Sequence, residues 1–76
     1  MPVEPDVILD VKGLQCPLPV MKTKKAIDLM RQGEVIKVTA NDAGSKTDIP
    51  ALCRRLGLEL ISKTEDKGII TFLIRK

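Results

Sequence analysis

Seventy-six residues with 43% hydrophobic and 30% charged side chains are read as a single globular domain spanning residues 1–76. A domain of this size buries only about 60% of the surface its unfolded chain exposes, so a large internal active-site cavity is excluded and chemistry belongs on the surface or at a partner interface. The net charge of +3 fits nucleic acid, an acidic protein partner or nothing specific, and the absence of histidine excludes both a Cys-His nucleophile pair and an imidazole metal ligand.

The predicted elements follow in chain order. Val7 to Val11 is short, β-branched and apolar, and reads as a strand, with Asp10 near its end. Lys12-Gly13-Leu14-Gln15 breaks that pattern as a loop. Pro17 and Pro19 open a helix, because first-turn N–H groups have no intrahelical partner and proline costs nothing there. Val20, Lys24, Ile27 and Met30 recur at helical spacing, with Met21 and Leu29 beside them, and Gly33 is expected to end the helix after Arg31.

Val35 to Ala40 is the second strand and Asn41 to Lys46 a loop. Thr47 or Asp48 is expected to cap a second helix with Pro50 in its first turn; Ile49, Leu52, Cys53 and Leu56 form its apolar stripe and Gly57 its stop. Leu58 to Lys63 and Ile69 to Arg75 read as two more strands, joined through the turn signal Glu65-Asp66-Lys67-Gly68. The order β-α-β-α-β-β predicts an α+β two-layer sandwich with two helices on one face of a four-stranded mixed sheet.

Two cysteines, Cys16 and Cys53, are too few for a disulfide framework and, without histidine, a weak zinc set, so no metal and no cofactor is expected. The segment Met1 to Asp10 lacks a basic region ahead of an apolar stretch and does not read as a signal peptide. The apolar run Ile69 to Ile74 is far too short to span a bilayer. A reducing cytoplasm, with both thiols free, is the expected location.

The chemistry concentrates at Cys16-Pro17-Leu18-Pro19. With Pro17 as first helical residue, Cys16 would be the N-cap, where the helix dipole favours a thiolate and lowers its pKa. Lys12 and Lys22 would add positive potential. The two prolines leave Leu18 as the first-turn donor, expected to aim its N–H at the sulfur, and stiffen a loop that holds Cys16 outward. An accessible nucleophilic sulfur with no acid-base partner suits sulfur exchange, in which attack on a donor's persulfide moves the outer sulfur to Cys16 and attack by an acceptor removes it.

A lone cysteine is often a small buried hydrophobe, and that is the role assigned to Cys53 on its apolar stripe. The basic residues Lys22, Lys24, Lys25 and Arg31 would form a solvated helix face or, together with Lys12, a dock for an acidic partner beside Cys16. Gly-Ser-Lys-Thr at 44–47 echoes a phosphate loop, but glycine would be needed where Ala40 and Ser45 stand. An RNA-binding or non-catalytic regulatory module is the rival from another class; a single aromatic, Phe72, leaves no stacking platform.

The run Asp10-Val11-Lys12-Gly13-Leu14-Gln15-Cys16-Pro17-Leu18-Pro19 resembles the signature of the TusA family of sulfur carriers, also called SirA-like proteins. Gly33-Glu34, Asp42, Asp48-Ile49-Pro50 and Gly57 also fall where that family has them. A cysteine often stands at the place of Cys53. Ala43-Gly44 departs from it, since many members have proline after the residue matching Asp42. The resemblance implies a sulfurtransferase-type carrier with a persulfide on Cys16, framed by Asp10, Gly13, Pro17, Leu18 and Pro19. It also implies a donor such as a cysteine desulfurase or rhodanese, and an acceptor sulfurtransferase in a relay serving tRNA thiolation, cofactor assembly or sulfur metabolism. The free carrier is expected to be a monomer.

Overall fold

β-Branched runs separated by two amphipathic stretches give, in the computed structural model, which describes residues 4–76, the order β1 (Val7–Asp10), α1 (Leu18–Asp28), β2 (Val35–Ala40), α2 (Ser45–Leu56), β3 (Glu59–Asp66) and β4 (Ile69–Arg75). Residues 1–3 of the segment Met1 to Asp10, read from sequence as not a signal peptide, lie outside the described residues. The strands form one mixed sheet in the order β1-β2-β4-β3, as the α+β reading expects: β1 runs parallel to β2, and β4 pairs antiparallel with both β2 and β3.

Strand periodicity builds the core. Ile36, Val38 and Ala40 of β2 and Ile70, Phe72 and Ile74 of β4 alternate onto one sheet face, each at most 1% exposed. Ile27 and Met30 from α1 and its exit, with Ile49 and Cys53 from α2, close the other side of that cluster. At about 25 cal/mol per Å² of apolar surface buried, these side chains supply most of the stabilisation available to so small a chain.

The helix ends differ from the predicted ones, for local reasons. Helix α1 begins at Leu18 with Pro17 as N-cap, one residue later than expected, because the first i→i−4 bond runs from the Met21 N–H to the Pro17 carbonyl, 3.1 Å. Its buried stripe is Pro19, Thr23 and Ile27 rather than one through Val20 and Lys24. A threonine is tolerated at 0% exposure because its Oγ1 donates to the Pro19 carbonyl at 2.7 Å. The helix closes at Asp28, short of Gly33. Lys76 Nζ donates to the Ile27 and Met30 carbonyls at 2.7 and 2.9 Å, taking up acceptors that a longer helix would have used.

Helix α2 begins at Ser45 behind the N-cap Gly44, so neither Thr47 nor Asp48 caps it and Asp48 lies in its first turn. Pro50 consequently sits inside the helix and cannot donate to the Lys46 carbonyl; Lys63 Nζ, 3.2 Å away, donates there instead. Gly57 terminates α2 in the left-handed conformation (φ 69°), with the Leu58 N–H bonded to the Cys53 carbonyl at 2.8 Å. Strand β3 runs on to Asp66, so the hairpin turn is the pair Lys67-Gly68, both at positive φ (52° and 80°), and a bulge at Ile61 shifts the register between Leu60 and Ser62.

Candidate functional site

Because β1 and β2 are parallel, the loops leaving their carboxyl ends emerge on the same side, and each leads into a helix. The topology therefore brings Cys16, just before α1, against Gly44, at the head of α2. A Cβ built on Gly44 would lie 3.7 Å from Cys16 Cβ and 3.6 Å from Asp48 Oδ2, ordinary contacts, but only 3.1 Å from Asp42 Oδ2, so three side chains converge here and the Asp42 carboxylate is the one a larger residue would crowd. The Gly13 N–H donates to Asn41 Oδ1 at 2.9 Å and ties the two loops together. Asp10 shapes the first loop from within: its Oδ1 accepts from the Lys12 N–H at 2.9 Å and from Thr39 Oγ1 at 3.4 Å. Gly13 itself adopts φ 86°, a conformation costly for any residue with a Cβ.

Cys16 is exposed, and its Sγ–H donates to Asp48 Oδ2 at 3.3 Å. The electrostatics run against the sequence expectation. The thiol is pushed above its ordinary range, first by the hydrogen bond to Asp48, then by partial desolvation and by the negative charges of Asp48 and Asp42. The expected lowering by the α1 dipole and nearby lysines does not appear among these causes. Lys12 turns towards Asp10, with Nζ 3.9 Å from Oδ2, and the Leu18 N–H serves a turn with the Gln15 carbonyl (2.9 Å) instead of the sulfur. Cys16 precedes the N-cap and is not itself the cap.

Pro17, Leu18 and Pro19 follow the sulfur into α1. Pro19 is buried, whereas Leu18 is 44% exposed beside the site. A groove of about 220 Å³ opens next to Cys16, with Pro17 and Val20 on one side, Ala51 and Leu52 on the other, and Asp48 and Arg55 as its charged members. The four lysines named as docking candidates have different neighbours. Lys24 pairs with Asp28 at 3.0 Å along α1, and Lys12 stays with Asp10. Lys22 and Lys25 flank a second hollow, of about 240 Å³, with Leu9, Ala26 and Leu29.

Cys53 is 2% exposed in the core, as its place on the apolar stripe predicts, and burial pushes its thiol up as well. Among the described residues no group of three or more His, Cys, Asp or Glu is placed to hold a metal ion, and no helix is long and apolar enough to cross a membrane.

Sequence reasoning missed Asp48 and Gly44 as site residues. Asp48 was in view as a helix cap and as part of Asp48-Ile49-Pro50, but its contact with Cys16 spans 32 residues and follows only from the parallel pairing of β1 with β2. No local signal marks it.

Comparison with known proteins agrees with this architecture. Residues 7–76 match the family model described as Sulfurtransferase TusA. The chain is 42% identical to the sulfur carrier protein TusA of Allochromatium vinosum, over 93% of each chain. It is 43% identical to the sulfur carrier protein TusA of Pseudomonas putida F1, over 95% of this chain and 90% of that one. A crystal structure of a SirA-like protein from Desulfitobacterium hafniense superposes with a TM-score of 0.78 at 27% identity, covering 91% of this chain and 95% of that one. Fold, cysteine-bearing loop and relatives together place the chain in the TusA family of sulfur carriers.

Proposed function

We propose that this chain carries sulfane sulfur as a persulfide on Cys16, receiving it from a donor such as a cysteine desulfurase or rhodanese and passing it to an acceptor sulfurtransferase. The observation that carries the proposal is an exposed thiol at the head of α1, beside an open surface groove. Such a site performs exchange and little else. The Cys16 sulfur, as thiolate, attacks the outer sulfur of the donor's persulfide; the donor's S–S bond breaks, a new bond to Sγ forms, and the donor leaves as a thiolate that takes up the displaced proton. Delivery is the same reaction with Cys16 as leaving group, so each step exchanges one S–S bond for another with no outside oxidant.

In this reading Asp10 and Gly13 shape the loop, and Pro17, Leu18 and Pro19 fix where the sulfur emerges, which the Asp10 and Gly13 hydrogen bonds support. Partner contact is assigned to the ends of both helices around Cys16, with Lys12, Lys22, Lys24 and Lys25 as the docking residues that attract an acidic partner. A reducing cytoplasm is the compartment that keeps such a thiol free.

Incubation with a cysteine desulfurase and cysteine, followed by intact-mass measurement, tests the proposal. A reducible gain of one sulfur atom in the wild type, lost in Cys16→Ser, is expected. RNA affinity that survives Cys16→Ser in a chain that takes up no sulfur would support the RNA-binding alternative. Phe72, the chain's one aromatic, is 0% exposed and cannot stack on a base, which weighs against that alternative.

A further inference from the structure

Asp48 is the hydrogen-bond partner of the Cys16 sulfur, and it reaches that sulfur from the other helix. It is partly buried in the first turn of α2 and lines the groove beside Cys16, and both side chains approach Gly44 at the head of that helix. The bond between them depends on a proton that only the empty carrier has.

We propose that Asp48 distinguishes the empty from the loaded carrier, binding the Cys16 thiol and repelling its persulfide, so that it favours delivery of sulfur over retention. This deepens the reading of Cys16 as the sulfur-bearing residue and rests on it. In the empty state Sγ–H donates to Asp48 Oδ2. Loading replaces the S–H bond with an S–S bond, so the inner sulfur has nothing to donate and turns lone pairs towards a carboxylate. Any negative charge on the outer sulfur then lies in the field of Asp48 from α2 and Asp42 from the loop before it. Arg55, on the same helix as Asp48, is the cation that lines the same groove. Delivery reverses the change: the acceptor's thiolate takes the outer sulfur, the S–S bond breaks, and Cys16 leaves as a thiolate. That thiolate gains a proton from solvent and restores the bond to Asp48. Atoms and electrons balance without a further reagent.

The raised thiol of Cys16 is the counterpart in the empty state, since the same carboxylates oppose its ionisation. A carrier waiting for a donor is thereby kept as the less reactive thiol, protected from adventitious oxidation.

The test uses the full chain with Asp48→Asn, Asp48→Ala and Asp48→Glu, each checked for native circular dichroism. If Asp48→Ala loses its helical signal, the isosteric Asp48→Asn supplies the readout. Two quantities are measured: the pH profile of Cys16 alkylation by iodoacetamide, and the fraction of chain loaded at equilibrium with a glutathione persulfide and glutathione mixture. Asp48→Asn should shift the alkylation profile to lower pH and raise the loaded fraction, while Asp48→Glu returns both towards wild type. An unshifted profile in a folded Asp48→Asn overturns the proposal, as does a loaded fraction equal to that of the wild type. A wild type that takes up no sulfur on Cys16 overturns the carrier reading itself, whereas uptake indifferent to Asp48 overturns only the role given to the carboxylate.

Discussion

The chain's two thiols, Cys16 and Cys53, are both shifted towards the protonated form, but with different leading causes. Cys53 sits among Ile49, Phe72 and other core side chains, and desolvation is the leading cause of its shift. Cys16 is exposed, and its leading cause is a single hydrogen bond to Asp48, followed by partial desolvation and the charges of Asp48 and Asp42. The difference decides which sulfur can work. Desolvation is lifted only by unfolding, while a carboxylate's influence is lifted by a partner's cation or by a change in the sulfur itself. A thiol restrained by neighbours is therefore switchable, and a thiol restrained by burial is inert.

The largest expected difference between them is in alkylation. In the native protein, iodoacetamide should modify Cys16 and leave Cys53 untouched, with Cys53 reacting only after denaturation; peptide mapping reads the ratio directly. At neutral pH, Cys16 should react more slowly than free cysteine, because the carboxylates reduce its thiolate fraction. A Cys16 that outpaces free cysteine would mean that the helix dipole outweighs Asp48 after all.

Next in size is stability. Replacing Cys53 with alanine removes a buried sulfur from the core and should cost roughly 1–2 kcal/mol in urea denaturation, whereas the exposed Cys16→Ser should stay within about 0.5 kcal/mol of wild type. Equal effects at the two positions would erase the contrast.

A third expected effect is alkaline. The folded Cys53 thiol lies above its ordinary value of 9.0, so on raising the pH the unfolded chain ionises first. The contribution is complete below that value and is lost as the pH rises towards the folded one. The urea midpoint should therefore fall more between about pH 8 and about pH 10 in wild type than in Cys53→Val, since only the former carries the titrating thiol.

The smallest expected effect is of salt. Raising ionic strength should move the Cys16 alkylation profile slightly towards that of free cysteine, because the charges of Asp42 and Asp48 act partly through solvent. The denaturation-dependent reactivity of Cys53 should not follow.

Much of this architecture was legible in the residues. The β-branched runs 35–40 and 69–75 are observed as strands with the predicted bounds, and the order of elements follows from them. What escaped was set by contacts between distant segments or by caps without a side-chain signature. Neither helix has a side-chain capping bond at its start, so the usual Ser, Thr or Asp signal pointed to the wrong residue in α2, and α1 opened one residue after the predicted Pro17. Thr23 took a core position that apolar periodicity assigned elsewhere, because its hydroxyl is satisfied within the helix. At the site, Cys16, Asp10 and Gly13 were recognisable from one continuous stretch. Asp48 was not, since only the parallel pairing of β1 and β2 carries it to the sulfur.

The most direct measurement is the intact mass of folded Cys53→Ala and of Cys16→Ser after exposure to a persulfide donor. Cys53→Ala should gain a single sulfur atom that a reductant removes, and Cys16→Ser should gain none. Sulfur retained by the chain that lacks Cys16, or none on the chain that keeps it, would contradict the account.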